Sequence, residues 1–212
     1  PQTVLDTFAQ ANVAVAEGRF CDALPVLDFA VTLPEAAGVA PVAHADRAHA
    51  LSECGLANFR AGNLTGASTR FETLVTEYPN DPGVAQARSA LIAAEVGRRA
   101  SVPMALPAPI DAAGSEPVVL YNAVASEVHV LLTGPTAHEI TLPACVGCPA
   151  VYERDQSCPG SAGKPSTTLQ MRPGTYSVLQ QRAEIRPTAT VNQPVTVPRG
   201  GGELCVRVNR VQ

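Results

Sequence analysis

The stretch FRAGNLTGASTRFETLVTEYP, residues 59–79, decides the first half of the fold. It opens on the end of one helix and turns at Gly62. A second helix follows, with its apolar groups facing back, and Pro79 closes it. An earlier stretch, AEGRFCDALPVLDFAVTLP at 16–34, says the same thing: small residue, Gly, turn, helix, Pro. Working outward from this echo, apolar spacings of three and four predict helices near 3–17, 21–32, 43–61, 64–78 and 83–98. Each break has a cause: Glu17-Gly18-Arg19, Leu33-Pro34, Arg60-Ala61-Gly62-Asn63, and the run from Tyr78 to Pro82.

Paired helix–turn–helix units are the signature of a helical repeat. The second unit resembles the tetratricopeptide repeat, with Gly55 and Ala67 at small packing positions, Gly62 at the turn, Phe71 at the aromatic position and Pro79 at the end. The first keeps Gly18, Phe20, Ala23 and Ala30, with Ala11 where the family prefers Gly. Gly18 and Gly62 lie 44 residues apart, against about 34 in the family, so PEAAGVAPVA (34–43) reads as an insertion. The wording FETLVTEYPNDPGVAQARSAL is most similar to repeats of bacterial cell-envelope lipoproteins. The resemblance implies that the inner face of each first helix holds a peptide or another domain. By position it would present Phe8, Asn12 and Val15 from the first unit, and His49, Ser52, Leu56 and Arg60 from the second.

From about Arg99 to Pro117 the grammar changes: SVPMALPAPIDAAGSEP cannot continue a helix and suits a semi-rigid connector. Beyond it the period becomes two. Strands are predicted at 118–121, 127–132, 138–142, 167–171, 175–179, 189–191 with 194–197, and 204–208. Seven short strands in so few residues predict an immunoglobulin-like sandwich. LQMRPGTYSV resembles the strand–PGTY–strand hairpin of small bacterial surface β-domains. The expected architecture is therefore α+β in two domains. A tetratricopeptide-like helical domain (1–99) and a Pro/Ala-rich linker (100–117) precede an antiparallel β-sandwich (118–212) with a Cys-rich loop at 143–165.

Composition narrows the partners. The 212 residues are 46% hydrophobic and 16% charged, with a net charge of −4. No Lys/Arg cluster exists, which argues against a nucleic-acid backbone or an anionic membrane surface. No apolar run approaches the roughly 18–20 residues needed to span a bilayer. The chain opens at Pro1 rather than Met, and we expect that a signal peptide has been removed.

Three of the six cysteines fall in TLPACVGCPAVYERDQSCPG, residues 141–160. A zinc knuckle would need a second ligand pair at matching spacing, and Cys148, Cys158 and Cys205 do not supply one. A redox C-x2-C gains its low pKa at a helix N-terminus, whereas Cys145 and Cys148 sit between Pro143 and Pro149 in a loop between strands. A disulfide staple fits better. Cys205 shares the polar face of the last strand with Glu203 and Arg207, where the long loop could cover it. Four cysteines allow three pairings; we expect Cys148–Cys158 with Cys145–Cys205. Cys21 and Cys54 form a third pair if their helices bring the Cα atoms within about 7 Å, and otherwise are buried thiols.

No motif for catalysis emerges. GSAGKPST (160–167) has Cys158 where a phosphate loop needs its first Gly, and Pro165 follows the Lys. His44 and His49 are five apart, the wrong spacing for a helical metal pair, and no Gly-x-Ser-x-Gly elbow occurs. Asn63-Leu64-Thr65 is a glycosylation sequon that reads better as a helix entry. The expectation is a non-enzymatic protein of the bacterial envelope, periplasm or exterior. It would need no cofactor or metal and would bind another protein, an extended peptide or a cell-surface ligand. A redox or zinc protein using Cys145, Cys148, Cys158 and Cys205 is the alternative.

Overall fold

The computed structural model describes residues 2–32, 40–101, 104–109, 114–153, 156–182 and 190–207. Residues 34–39 of the expected insertion, 102–103 and 110–113 of the expected linker, and Ala189 and Val208 lie outside them. The fold is mixed α+β, and the chain divides into two compact units, Pro1–Ala94 and Glu95–Gln212.

Among the described residues five helices come first along the chain: α1 (Gln2–Ala16), α2 (Phe20–Ala30), α3 (Ala40–Arg60), α4 (Leu64–Glu77) and α5 (Val84–Ala100), the last crossing the division. The echo in sequence is an echo in hydrogen bonds. Gly18 (φ +74°) and Gly62 (φ +77°) both adopt the left-handed conformation that side chains resist. Gly18 N–H donates to Val15 O and Arg19 N–H to Ala14 O, while Gly62 N–H donates to Phe59 O and Asn63 N–H to Asn58 O. Each is a Schellman cap, satisfying carbonyls that the helix end leaves unpaired. Asn63 then caps α4, its side-chain oxygen accepting from Gly66 N–H at 3.0 Å.

The buried positions repeat as well. Ala23, Leu27 and Ala30 in α2 recur 44 residues on as Ala67, Phe71 and Leu74 in α4. Opposite Phe71, a Cβ on Gly55 would lie 2.6 Å from the ring, so only Gly fits beneath it. The first unit carries Ala11 and Leu27 at those two positions: a methyl is added where the facing side chain is smaller.

Arg47 of α3, 8% exposed, ties three helices together. It donates to Asp28 of α2 at 2.6 Å, to Glu77 of α4, and to the Tyr78 hydroxyl at 3.0 Å. Burial alone would lower the guanidinium pKa; the hydrogen bonds it donates to Glu77, Asp28 and Tyr78 outweigh it and raise it.

Among the described residues the second unit holds seven strands: β1 (Glu116–Asn122), β2 (Val128–Thr133), β3 (Ala137–Leu142), β4 (Ser166–Met171), β5 (Gly174–Arg182), β6 (Thr190–Val197) and β7 (Gly202–Val206). They form a three-stranded sheet in the order β4-β1-β7 and a four-stranded sheet in the order β3-β2-β5-β6. The expectation of a wholly antiparallel arrangement is corrected, because β7 runs parallel to β1. β7 enters beside β1 at Gly201 (φ +78°), where a Cβ would meet Pro117 O at 2.1 Å. Only glycine lets the chain enter that close beside the start of β1.

Period-two alternation sends Val118 and Leu120 of β1, Val128, Val130 and Leu132 of β2, Tyr176 and Val178 of β5, and Val206 of β7 into one apolar cluster. Both sheets therefore close on a single core. At its end, Tyr176 donates to Arg172 O at 2.9 Å. A carbonyl can only accept, which fixes the direction of the whole chain of bonds. Thr136 donates to the Tyr176 oxygen at 2.8 Å, and His138 Nε2–H donates to Thr136 Oγ1 at 2.9 Å.

Candidate functional site

The loop after β3 is the feature that the sequence singled out, and the structure fastens it at two places. Its first part folds onto the β1–β2 connection. Cys145 N–H donates to Val124 O at 3.0 Å, Ala125 N–H to Pro149 O at 3.2 Å, and the buried Tyr152 hydroxyl to Ala123 O at 2.9 Å. Asn122, fully buried, organises this corner. Its amide donates to Ser126 O and Pro143 O, both at 2.8 Å, and its oxygen accepts from Val124 N–H at 2.9 Å.

The second part covers the outer face of the three-stranded sheet. Tyr121 donates to Pro159 O at 2.6 Å, Ser161 to Glu203 at 2.7 Å, and Arg207 to Gln156 O. Burial first, then the charges of Glu203 and Tyr152, hold the Tyr121 phenol above its usual range. It thus stays a donor. Cys205 stands on this face as expected from the alternation, with Tyr121 opposite it.

The cysteines pair differently from the expectation. Cys145 bonds Cys148 (Cα–Cα 5.4 Å) and Cys158 bonds Cys205 (6.3 Å), rather than Cys148–Cys158 with Cys145–Cys205. Tyr152 supplies the reason. Buried against Ala123, it anchors the middle of the loop, with the Cys145–Cys148 turn before it and Cys158, bonded to Cys205 of β7, after it. Val146 stands fully exposed at the tip of that turn. The remaining pair is Cys21–Cys54 at 5.0 Å, joining α2 to α3. No cysteine is free.

The seven residues expected to line a groove in the helical unit have diverse surroundings. Phe8 packs against the cluster of Ala30 and Ala43, so it serves the packing of helices. His49 is exposed and meets the Phe20 ring edge-on at 5.0 Å. Ser52 lies beside Gly83 ahead of α5. Asn12 and Arg60 are exposed, Val15 and Leu56 half-buried. A surface cavity of about 490 Å³ in this unit lies instead between α1 and α2, against Ala9, Val13, Arg19 and Val26. None of the seven is among the described residues lining it.

Among the described residues, no group of three or more His, Cys, Asp or Glu is placed to hold a metal, and no helix is long and apolar enough to cross a membrane. Sequence reasoning missed Asn122, Tyr152 and Gln180. Gln180 had a signal: extending the β5 alternation one step past Val178 sends its amide inward. No protein-family model matches the chain, and a search among curated proteins finds no match.

Proposed function

We propose that the protein is a non-enzymatic, exported bacterial interaction module: a tetratricopeptide-like adaptor joined to a disulfide-stapled, immunoglobulin-like β-domain. The observation that carries this reading is the pairing of all six cysteines in three disulfides. Such bonds persist in the periplasm, at the cell surface or outside the cell, and are reduced in a mesophilic cytosol. The repeated Schellman caps and buried positions support the helical-repeat identity. Tyr176 bonding to a carbonyl four residues upstream resembles the tyrosine corner of immunoglobulin-like sandwiches.

The partner is another protein, presenting an extended segment to the face that carries Asn12, Val15, His49, Ser52, Leu56 and Arg60. Their exposed or half-buried state leaves them available for contact. The rival redox or zinc reading needs thiolates. Its four sulfurs stand in disulfides, and Cys145–Cys148 closes a turn whose next element is a strand rather than a helix.

The test is the intact mass of the non-reduced protein from its native source, alkylated under denaturing conditions, with metal analysis alongside. A mass short by two hydrogens for each of the three disulfides, with no alkylation, is expected. Four alkylated thiols with bound zinc establish the rival. For the partner face, peptides selected from a displayed random library should lose binding to the Leu56→Glu variant; equal binding rules that face out.

A further inference from the structure

Among the described residues the seven-stranded unit has an open side. The edge strands β6 and β7 belong to different sheets and are not bonded to each other. Between them and the core lies a cavity of about 260 Å³, walled by Leu120, Leu132, Val178 and Leu204, with Gln180 and Arg207 as its polar lining. Gln180 is 6% exposed, on the same inward face of β5 as Tyr176 and Val178. Its side-chain oxygen has no hydrogen-bond partner among the described residues. A buried acceptor left unpaired is costly, and native interiors rarely keep one. The half-buried Arg207 already donates to Gln156 O.

We propose that this cavity binds a small neutral molecule with an apolar body and one hydroxyl or N–H donor, phenol-like in chemistry. Leu120, Leu132, Val178 and Leu204 offer surface to an apolar body, and burying unsatisfied polar groups against them is unfavourable. The acceptor selects a donor. No carboxylate is among the described residues lining the cavity, so a buried ammonium would go unpaired and the donor is neutral. The volume exceeds the roughly 150 Å³ known to accept benzene in an apolar cavity. An added peptide strand fits less well: Pro194 removes a backbone donor from the edge of β6, and β7 is only five residues long.

The experiment titrates the whole, oxidised chain with phenol and, separately, with toluene, which has the same shape without the donor. Nuclear magnetic resonance follows the Gln180 side-chain amide. Saturable phenol binding that shifts this amide, on the order of tenfold tighter than toluene, is expected. Gln180→Leu should keep the fold, with an unchanged or higher Tm, and erase the preference. Leu204→Trp, filling the cavity, should abolish binding of both. Absence of phenol binding overturns the proposal, as does equal binding of toluene. So does a preference that survives Gln180→Leu, or binding that survives Leu204→Trp. The proposal is independent of the helical face, so either can fail alone.

Discussion

The two units solve the same problem, ordering a chain, in opposite ways. In the helical unit the partners are neighbours: the Schellman cap that ends α1 leads directly into α2, and the one that ends α3 leads into α4. In the sheet unit Val118 pairs with Leu169 on one side and Gly202 on the other, so β1 waits for strands far along the chain. Closing such distances costs chain entropy before any contact rewards it. The disulfides follow that contrast. Cys21–Cys54 ties helices that already share the buried Arg47 network, whereas Cys158–Cys205 holds down a loop with few apolar anchors.

The comparison breaks most visibly by removing bonds. Cys158 and Cys205 are 47 residues apart, Cys145 and Cys148 only three. In the chain-entropy account the long closure stabilises by about 4 kcal/mol and the short one by about 2 kcal/mol. The double variant Cys158→Ser/Cys205→Ser should therefore lower the denaturant midpoint of the sheet unit most, and expose amides around Tyr121 to exchange. Cys145→Ser/Cys148→Ser should cost about half as much. Equal losses would show that the two fastenings of the loop are not different in kind.

A smaller effect sharpens the likeness between the two helical pairs. Gly55→Ala drives a methyl into the Phe71 ring and should destabilise by about 1–3 kcal/mol, the usual range for overpacking. Adding Phe71→Leu recreates the Ala11–Leu27 combination of the first unit and should recover most of that loss. A double-mutant cycle measures the coupling. Additive losses would mean that the two positions do not face each other equivalently in the two units.

How much was legible differs between the units for the same reason. Helix periodicity and turn residues are local, so all five helices could be read within a few residues from Gly18, Gly62 and the Pro-rich breaks. The seven strands were equally local. What the strand pattern could not carry was their arrangement. β7 lies beside β1 with Gly201 close against Pro117, and the cysteine-bearing loop is anchored where Tyr152 reaches Ala123. Both are contacts between distant positions that no spacing records. Alternation did place Cys205 on the outward face, and from there the covering loop followed. It also pointed Gln180 inward, had the strand been read one residue further.

The smallest expected effect separates the units by pH. His138 is buried in the sheet unit, and burial lowers its pKa below the usual value. In the unfolded chain it titrates near its ordinary value of about 6.5. As pH falls below that point the unfolded state binds a proton that the folded state refuses, so stability declines until the folded pKa is passed. The Nε2–H donated to Thr136 is present in both protonation states, so the loss comes from charging a ring that burial keeps from water. The denaturant midpoint of the sheet unit should therefore drop between about pH 6.5 and lower values, with that component absent in His138→Gln. In the helical unit His44 and His49 are exposed. A drop that persists in His138→Gln would place the pH sensitivity in the carboxylates instead.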